Sequence, residues 1–127
     1  MRVLIIDDEE MIRSLATRIL QRSGIESIGA ECGAQGLGAV KTDSLIDVAL
    51  VDMTLPDIDG LELIRQIQAT RPDLPCVIST GQAMVEQDIP SDIARPVFFL
   101  PKPYRSQELV DLVRKAAGAH SGSLRSL

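Results

Sequence analysis

The sequence predicts an α/β protein in which a five-stranded parallel sheet is covered on both faces by helices. Three observations carry this reading. First, short apolar runs of strand length recur along the chain, and three of the five strand candidates, among them Val48 to Val51, are near-continuously apolar, as strands buried on both faces are. Second, segments with helical apolar spacing alternate with these runs, the pattern of right-handed crossovers between parallel strands. Third, the strand candidates end in polar residues able to do chemistry: Asp7 and Asp8, Asp52, Thr80 and Lys102.

The elements follow in order. Arg2 to Ile6 is a strand closed by Asp7-Asp8-Glu9-Glu10. Met11, Ile12, Leu15, Ala16, Ile19 and Leu20 then read as one helical face, with Gly24 as its left-handed stop. Ile25 to Ala30 alternates apolar and polar, a strand with one exposed face. Gly33 to Lys41 is a helix weakened by Gly33, Gly36 and Gly38, each costing about 1 kcal/mol relative to Ala. Val48 to Asp52 is the third strand, and Leu61 to Thr70 a helix with Leu63, Ile64 and Ile67 inward. Cys76 to Thr80 and Val97 to Leu100 are the last two strands. Between them, Pro90 and Pro96 leave room in Gln82 to Asp88 for at most about two helical turns, so the fourth helix is short or irregular. That segment offers few apolar anchors (Ala83, Met84, Val85), and 82–95 is expected to be mobile. Ser106 can cap a last helix whose core face is Leu109, Leu112, Val113, Ala116 and Ala117.

At 127 residues, 45% apolar and 24% charged, the chain is one domain able to bury a core. The domain is expected to span 1–119, followed by a flexible Ser- and Gly-rich tail, 120–127. Aromatic residues are few (Phe98, Phe99, Tyr104), so the core is aliphatic. A net charge of −5 without a basic block argues against a nucleic-acid surface. No apolar run reaches membrane-spanning length, and Met1-Arg2-Val3 opens no signal-peptide pattern. Cys32 and Cys76 lack metal-ligand spacing and any disulfide framework, and the expected compartment is the cytoplasm.

In a parallel sheet all carboxyl ends lie on one edge, where α/β folds place their ligands. Asp7, Asp8, Asp52, Thr80 and Lys102 therefore converge. Crowded carboxylates repel unless a cation neutralises them, and hard oxygen donors suit Mg²⁺ over zinc. Lys102 adds an opposed positive charge, and Thr80 a hydroxyl that can donate to an oxyanion. The set fits a carboxylate nucleophile attacking phosphorus.

Val-Leu-Ile-Ile-Asp7-Asp8-Glu9, Asp52-Met-Thr-Leu-Pro56 with Asp59-Gly60, Ser79-Thr80-Gly81 and Lys102-Pro103 together resemble the receiver domains of two-component signalling, from Val3 to Ala117. The resemblance implies the CheY-like or flavodoxin-like fold, doubly wound with strand order 2-1-3-4-5. It implies Asp52 as the phosphoacceptor, forming an acyl phosphate. Asp8, Asp52 and the backbone carbonyl of Thr54 would ligate Mg²⁺ directly, with Asp7 acting largely through water. Lys102 would pair with the phosphoryl group, and Thr80 would swing to hydrogen-bond it. Phe99 would hold the aromatic switch position, and Pro103 would follow a cis bond. The donor would be the phosphohistidine of a sensor histidine kinase or a histidine phosphotransfer protein. Such a domain catalyses its own phosphorylation and slow autodephosphorylation and is not otherwise an enzyme. It would switch partner interactions, as a monomer or weak dimer, without contacting nucleic acid directly or a membrane. Two departures stand out: Phe99 lacks the hydroxyl of a Tyr, and the short, proline-interrupted fourth helix resembles receivers of hybrid histidine kinases and some single-domain regulators.

Each residue also has a plainer reading. Asp7 to Glu10 can be a dipole-favoured helix start, Asp52 and Thr80 strand-end caps, and Phe99 core. Gly33 to Gly38 faintly suggests a dinucleotide loop, but it follows the second strand and nothing nearby supports phosphate binding. His120 lies in the expected tail and carries no role. Two rival functions fit poorly. An aspartate-nucleophile phosphatase of the haloacid dehalogenase type needs an Asp where Thr54 stands, and usually a cap domain. A flavodoxin-like cofactor binder needs a neutral hydroxyl-rich loop where four acids stand. A receiver used only for docking, without turnover, remains compatible with the residues.

Overall fold

Strand formation follows the apolar runs. A computed structural model describes residues 1–94 and 96–125. Strands β1 (Arg2–Ile6), β2 (Glu26–Ala30), β3 (Val48–Asp52), β4 (Cys76–Thr80) and β5 (Val97–Pro101) form one sheet in the order β2-β1-β3-β4-β5. All pairings are parallel, and the register sets Ile6 beside Val51, Asp52 beside Ser79 and Ile78 beside Phe99. Every residue of β3 and β4 is buried, whereas the edge strand β2 keeps exposed positions, which is why only β2 shows alternation in the sequence.

Helices α1 (Glu10–Arg22), α2 (Gly33–Thr42), α3 (Gly60–Thr70) and α4 (Ser106–Arg125) make the outer layers. On one face, Ala16, Leu20, Leu109 and Val113 pack over Val3, Ile5, Leu50 and Val77. On the other, Val40, Leu63, Ile64 and Ile67 pack over Leu4, Ile6, Val51 and Ile78. Gly24, at φ +74°, ends α1 in the left-handed conformation expected of it.

Several expectations need correcting. Met11 and Leu15 do not face the core: they are 84% and 50% exposed, because the buried stripe of α1 runs through Ala16, Ile19 and Leu20 and turns them to its flank. The glycines of α2 serve packing at two of three positions. A Cβ at Gly36 would lie 2.4 Å from Ile6 Cδ1 and one at Gly33 2.2 Å from Ile58 Cγ2, while Gly38 has open space around it.

Between β4 and β5 the fourth helix is reduced to one 3₁₀ turn, Glu86–Asp88, so the short or irregular helix is what the chain forms. Its anchors come later than expected. Ile89 and Ile93 are buried in the core, and Gln68 bonds Ala94 twice, Nε2 donating to its carbonyl at 3.0 Å and Oε1 accepting from its N–H at 2.9 Å. Arg65 Nε donates to Asp92 at 2.8 Å. Arg95, the last residue of the segment expected to be mobile, lies outside the described residues.

Ser106 is the first residue of α4 and not its cap; Glu108 instead accepts from the Arg105 N–H at 2.7 Å. The backbone of α4 stays helical to Arg125, past the boundary expected at residue 119, and residues 126 and 127 lie outside the described residues.

Candidate functional site

The carboxyl edge of the sheet gathers the residues that terminate its strands. Asp7 follows β1 and is still held to the sheet, its N–H donating to Ala30 at 3.1 Å. Its carboxylate is buried and both oxygens are bonded: Oδ1 accepts from the Glu9 N–H at 2.9 Å and Oδ2 from Lys102 Nζ at 3.2 Å. Asp52, the last residue of β3, is 6% exposed; its Oδ1 accepts from the Thr54 N–H at 3.3 Å and lies 3.4 Å from Lys102 Nζ. Asp8 is exposed beside them, and Asp7, Asp8 and Asp52 each offer an oxygen within 4.8 Å of the others.

Lys102 reaches back from the far side of the sheet. Its N–H donates to Thr80 at 2.8 Å, continuing the ladder one residue beyond β5, and the following bond to Pro103 is cis. Thr80 is buried, and its Oγ1 accepts from the Gln82 N–H at 3.1 Å. Phe99 is half-buried and borders, with Thr80, Gln82 and Met84, a cavity of about 390 Å³. Thr54 is exposed, and its backbone bridges Asp59, whose Oδ1 caps α3 by accepting from the Leu61 N–H at 2.7 Å. Gly60 lets α3 start against the end of β3, since a Cβ there would stand 2.7 Å from the Asp52 carbonyl oxygen.

The electrostatics follow from this crowding. Burial raises the Asp52 pKa above the ordinary aspartate value; Lys102 pulls it down and Asp7 pushes it up further, leaving a net rise. For Lys102, burial works against the charge, but Asp7 and Asp52 together outweigh it and the pKa rises. Tyr104 is raised as well, by burial first and then by Asp7. Three carboxylates with hard oxygen donors around one ammonium leave an excess of negative charge, and the cluster could hold a small divalent cation. Each Asp7 oxygen accepts one hydrogen bond, and all three carboxylates still offer an oxygen to such a cation.

Two residues of this region receive no role from the sequence alone. Ser79 is in register with Asp52, and its buried Oγ has no hydrogen-bond partner among the described residues. Asp57 bonds across to α2. Ser79 is marked only by its place in Ser79-Thr80-Gly81, ahead of the strand-ending Thr80; nothing local marks Asp57.

The profile of the response regulator receiver domain matches residues 3–114. The chain belongs to that family. In this chain the acidic edge and the opposed lysine lie at the carboxyl ends of a CheY-like sheet. The response regulator MprA of Mycobacterium avium (strain 104) is 32% identical to this receiver over 114 residues, 90% of this chain and 50% of that protein. The chain thus spans about half the length of the curated relatives it matches. A CheY-like receiver domain protein from Methanospirillum hungatei JF-1 has a TM-score of 0.83 at 27% identity, covering 96% of this chain and 97% of that one. NtrX from Brucella abortus has a TM-score of 0.86 at 26% identity, covering 98% of this receiver and 29% of that chain.

Proposed function

We propose that this receiver takes a phosphoryl group from a phosphohistidine onto Asp52, in a two-component phosphorelay. The observation that carries the reading is the Lys102 ammonium, 3.2 Å from Asp7 and 3.4 Å from Asp52, with Asp8 completing the acidic edge. An Asp52 carboxylate oxygen attacks phosphorus, the P–N bond to the donor imidazole breaks, and its electron pair leaves with the imidazole. Mg²⁺ held by Asp8, Asp52 and the Thr54 carbonyl would neutralise charge on the transferring phosphoryl oxygens. Asp7 holds Lys102 and would act on the cation through water. Lys102 pairs with the phosphoryl oxygens once they arrive. Thr80 leaves the Gln82 N–H to donate to the same group, and Phe99 follows by packing into the space beside it.

The domain catalyses only its own phosphorylation and its slow hydrolysis. Its donor is a sensor histidine kinase or histidine phosphotransfer protein. Met11 and Leu15, exposed on the first turns of α1 next to Asp8, support docking of an apolar helical face there. We place the domain in the cytoplasm, a reading supported by its two free cysteines; burial pushes the Cys76 thiol up to about 12 and makes it an inert core residue. Among the described residues no helix is long and apolar enough to cross a membrane. Incubation with acetyl phosphate and Mg²⁺, read by intact mass, is expected to add one phosphoryl group. Asp52→Asn and chelation by EDTA should each abolish it, and equal labelling of the Asn variant would remove Asp52 from the role.

A further inference from the structure

The loop between β3 and α3 is fastened to a helix that contributes nothing to the acidic edge. Asp57 reaches the start of α2, where Oδ1 accepts from the Gly33 N–H at 2.9 Å and Oδ2 from the Ala34 N–H at 3.0 Å. Cys32, at the N-cap position of α2, makes no side-chain cap of its own, and no acidic residue stands in the helix's first turn. Unpaired N–H groups at a helix start need acceptors, and their partial positive charge favours a carboxylate. The same two bonds hold the Asp57 carboxyl below the usual aspartate value. The approach is close enough to require glycine at 33, where a Cβ would stand 2.2 Å from Ile58 Cγ2 and 3.3 Å from Asp57 Oδ1. A cap supplied from 24 residues away is a tertiary clamp.

The clamped loop carries the backbone that faces the acidic edge. Asp52 stands at its start, and Thr54 is bridged to Asp59, which caps α3. The Gly60 N–H donates to the Met53 carbonyl at 2.9 Å. The loop is thereby pinned to the sheet at one end and to α3 at the other, and Asp57 pins its middle to α2. We infer that Asp57 is a positioning residue of the acceptor site: by capping α2 from the loop it fixes the loop, and with it the Thr54 carbonyl, for the divalent cation. This rests on the Mg²⁺-dependent acceptor reading above. Coupling of this kind is reciprocal, so a clamp that tightens cation binding is itself tightened by the cation, by the same factor.

Calorimetric Mg²⁺ titrations on the parent, Asp57→Ala and Asp57→Asn test it. The Kd for Mg²⁺ is expected to rise about five-fold or more in Asp57→Ala, the lower edge of typical coupling. Asp57→Asn keeps an acceptor oxygen and should stay closer to the parent. In the parent, hydrogen exchange at Gly33 and Ala34 should slow when Mg²⁺ is added, and Asp57→Ala should lose that response. Adding Cys32→Ser to Asp57→Ala gives α2 a local cap. The double variant should recover its melting temperature while Mg²⁺ affinity stays weak. Recovery of affinity along with stability would mean that Asp57 only holds the helix together, and the inference fails. Parent-level affinity in a folded Asp57→Ala also overturns it and leaves the acceptor reading standing. A parent that binds no Mg²⁺ overturns the acceptor reading and this inference with it.

Discussion

Asp52 is ionised at a cost to the folded chain, because burial and the Asp7 carboxylate raise its pKa more than Lys102 lowers it. A raised carboxyl pKa penalises the charged form in the fold. The penalty is present above the folded-state pKa and vanishes below the unfolded value, about 4 for aspartate. Without Mg²⁺, Asp52→Asn should therefore be more stable than the parent at pH 7. The expected readout is a higher Tm for the Asn variant at pH 7. The gap should narrow as pH falls through the Asp52 titration. Thermal melts at several pH values check this, and a variant less stable than the parent at pH 7 would contradict it. The glycines of α2 give a second contrast. A Cβ added at Gly38 would meet nothing within 4 Å, so Gly38→Ala should stabilise by up to about 1 kcal/mol. Gly36→Ala should destabilise, since its Cβ would meet Ile6 Cδ1 at 2.4 Å. Opposite shifts in denaturation midpoint are the expected readout.

At the scale of elements, the segment between β4 and β5 divides in two. Ile89, Ile93 and the paired Gln68–Ala94 bonds hold its second half to α3, whereas Val85 is 57% exposed in the first half. Hydrogen exchange without a phosphodonor should be fast at Ala83 and Met84 and markedly slower at Ala94, and Gln68→Ala should erase that difference. Uniform protection across the segment would show a stable helix in its place. Of the tail expected at 120–127, we propose that the described part, 120–125, frays, because Ser121, Gly122 and Ser123 are poor helix formers with no apolar stripe among them.

For the molecule as a whole, the exposed large apolar side chains among the described residues are dispersed over different elements: Met1 before β1, Met11 and Leu15 on α1, Leu45 before β3 and Val85 before the 3₁₀ turn. Stable dimers need a contiguous, well-packed area of roughly 1,000 Å² or more. The net charge of −5 adds mutual repulsion. We therefore expect a monomer at micromolar concentration, with at most weak dimerisation after phosphoryl transfer. Sedimentation velocity with and without acetyl phosphate and Mg²⁺ measures this, and a tight dimer in the unphosphorylated protein would refute it.

The sheet and its acidic edge are legible in the sequence because both follow from local rules. A strand buried on both faces must be apolar throughout, and in a parallel sheet the residues that end such strands meet at one edge, so Asp7, Asp8, Asp52, Thr80 and Lys102 can be placed together from the chain alone. What depends on contacts between distant elements cannot be read that way. Helical spacing alone does not show that Met11 and Leu15 lie outside the buried stripe, nor does propensity show that Gly33 and Gly36 admit Ile58 and Ile6. Ile89 and Ile93 read as loop residues beside prolines until the sheet gives them a core to enter. Asp57 reads as part of an acidic turn, and only the tertiary fold brings the bare N-terminus of α2 within hydrogen-bonding distance of it. Periodicity determines which residues face inward from one element; which neighbour they meet is a property of the packed whole.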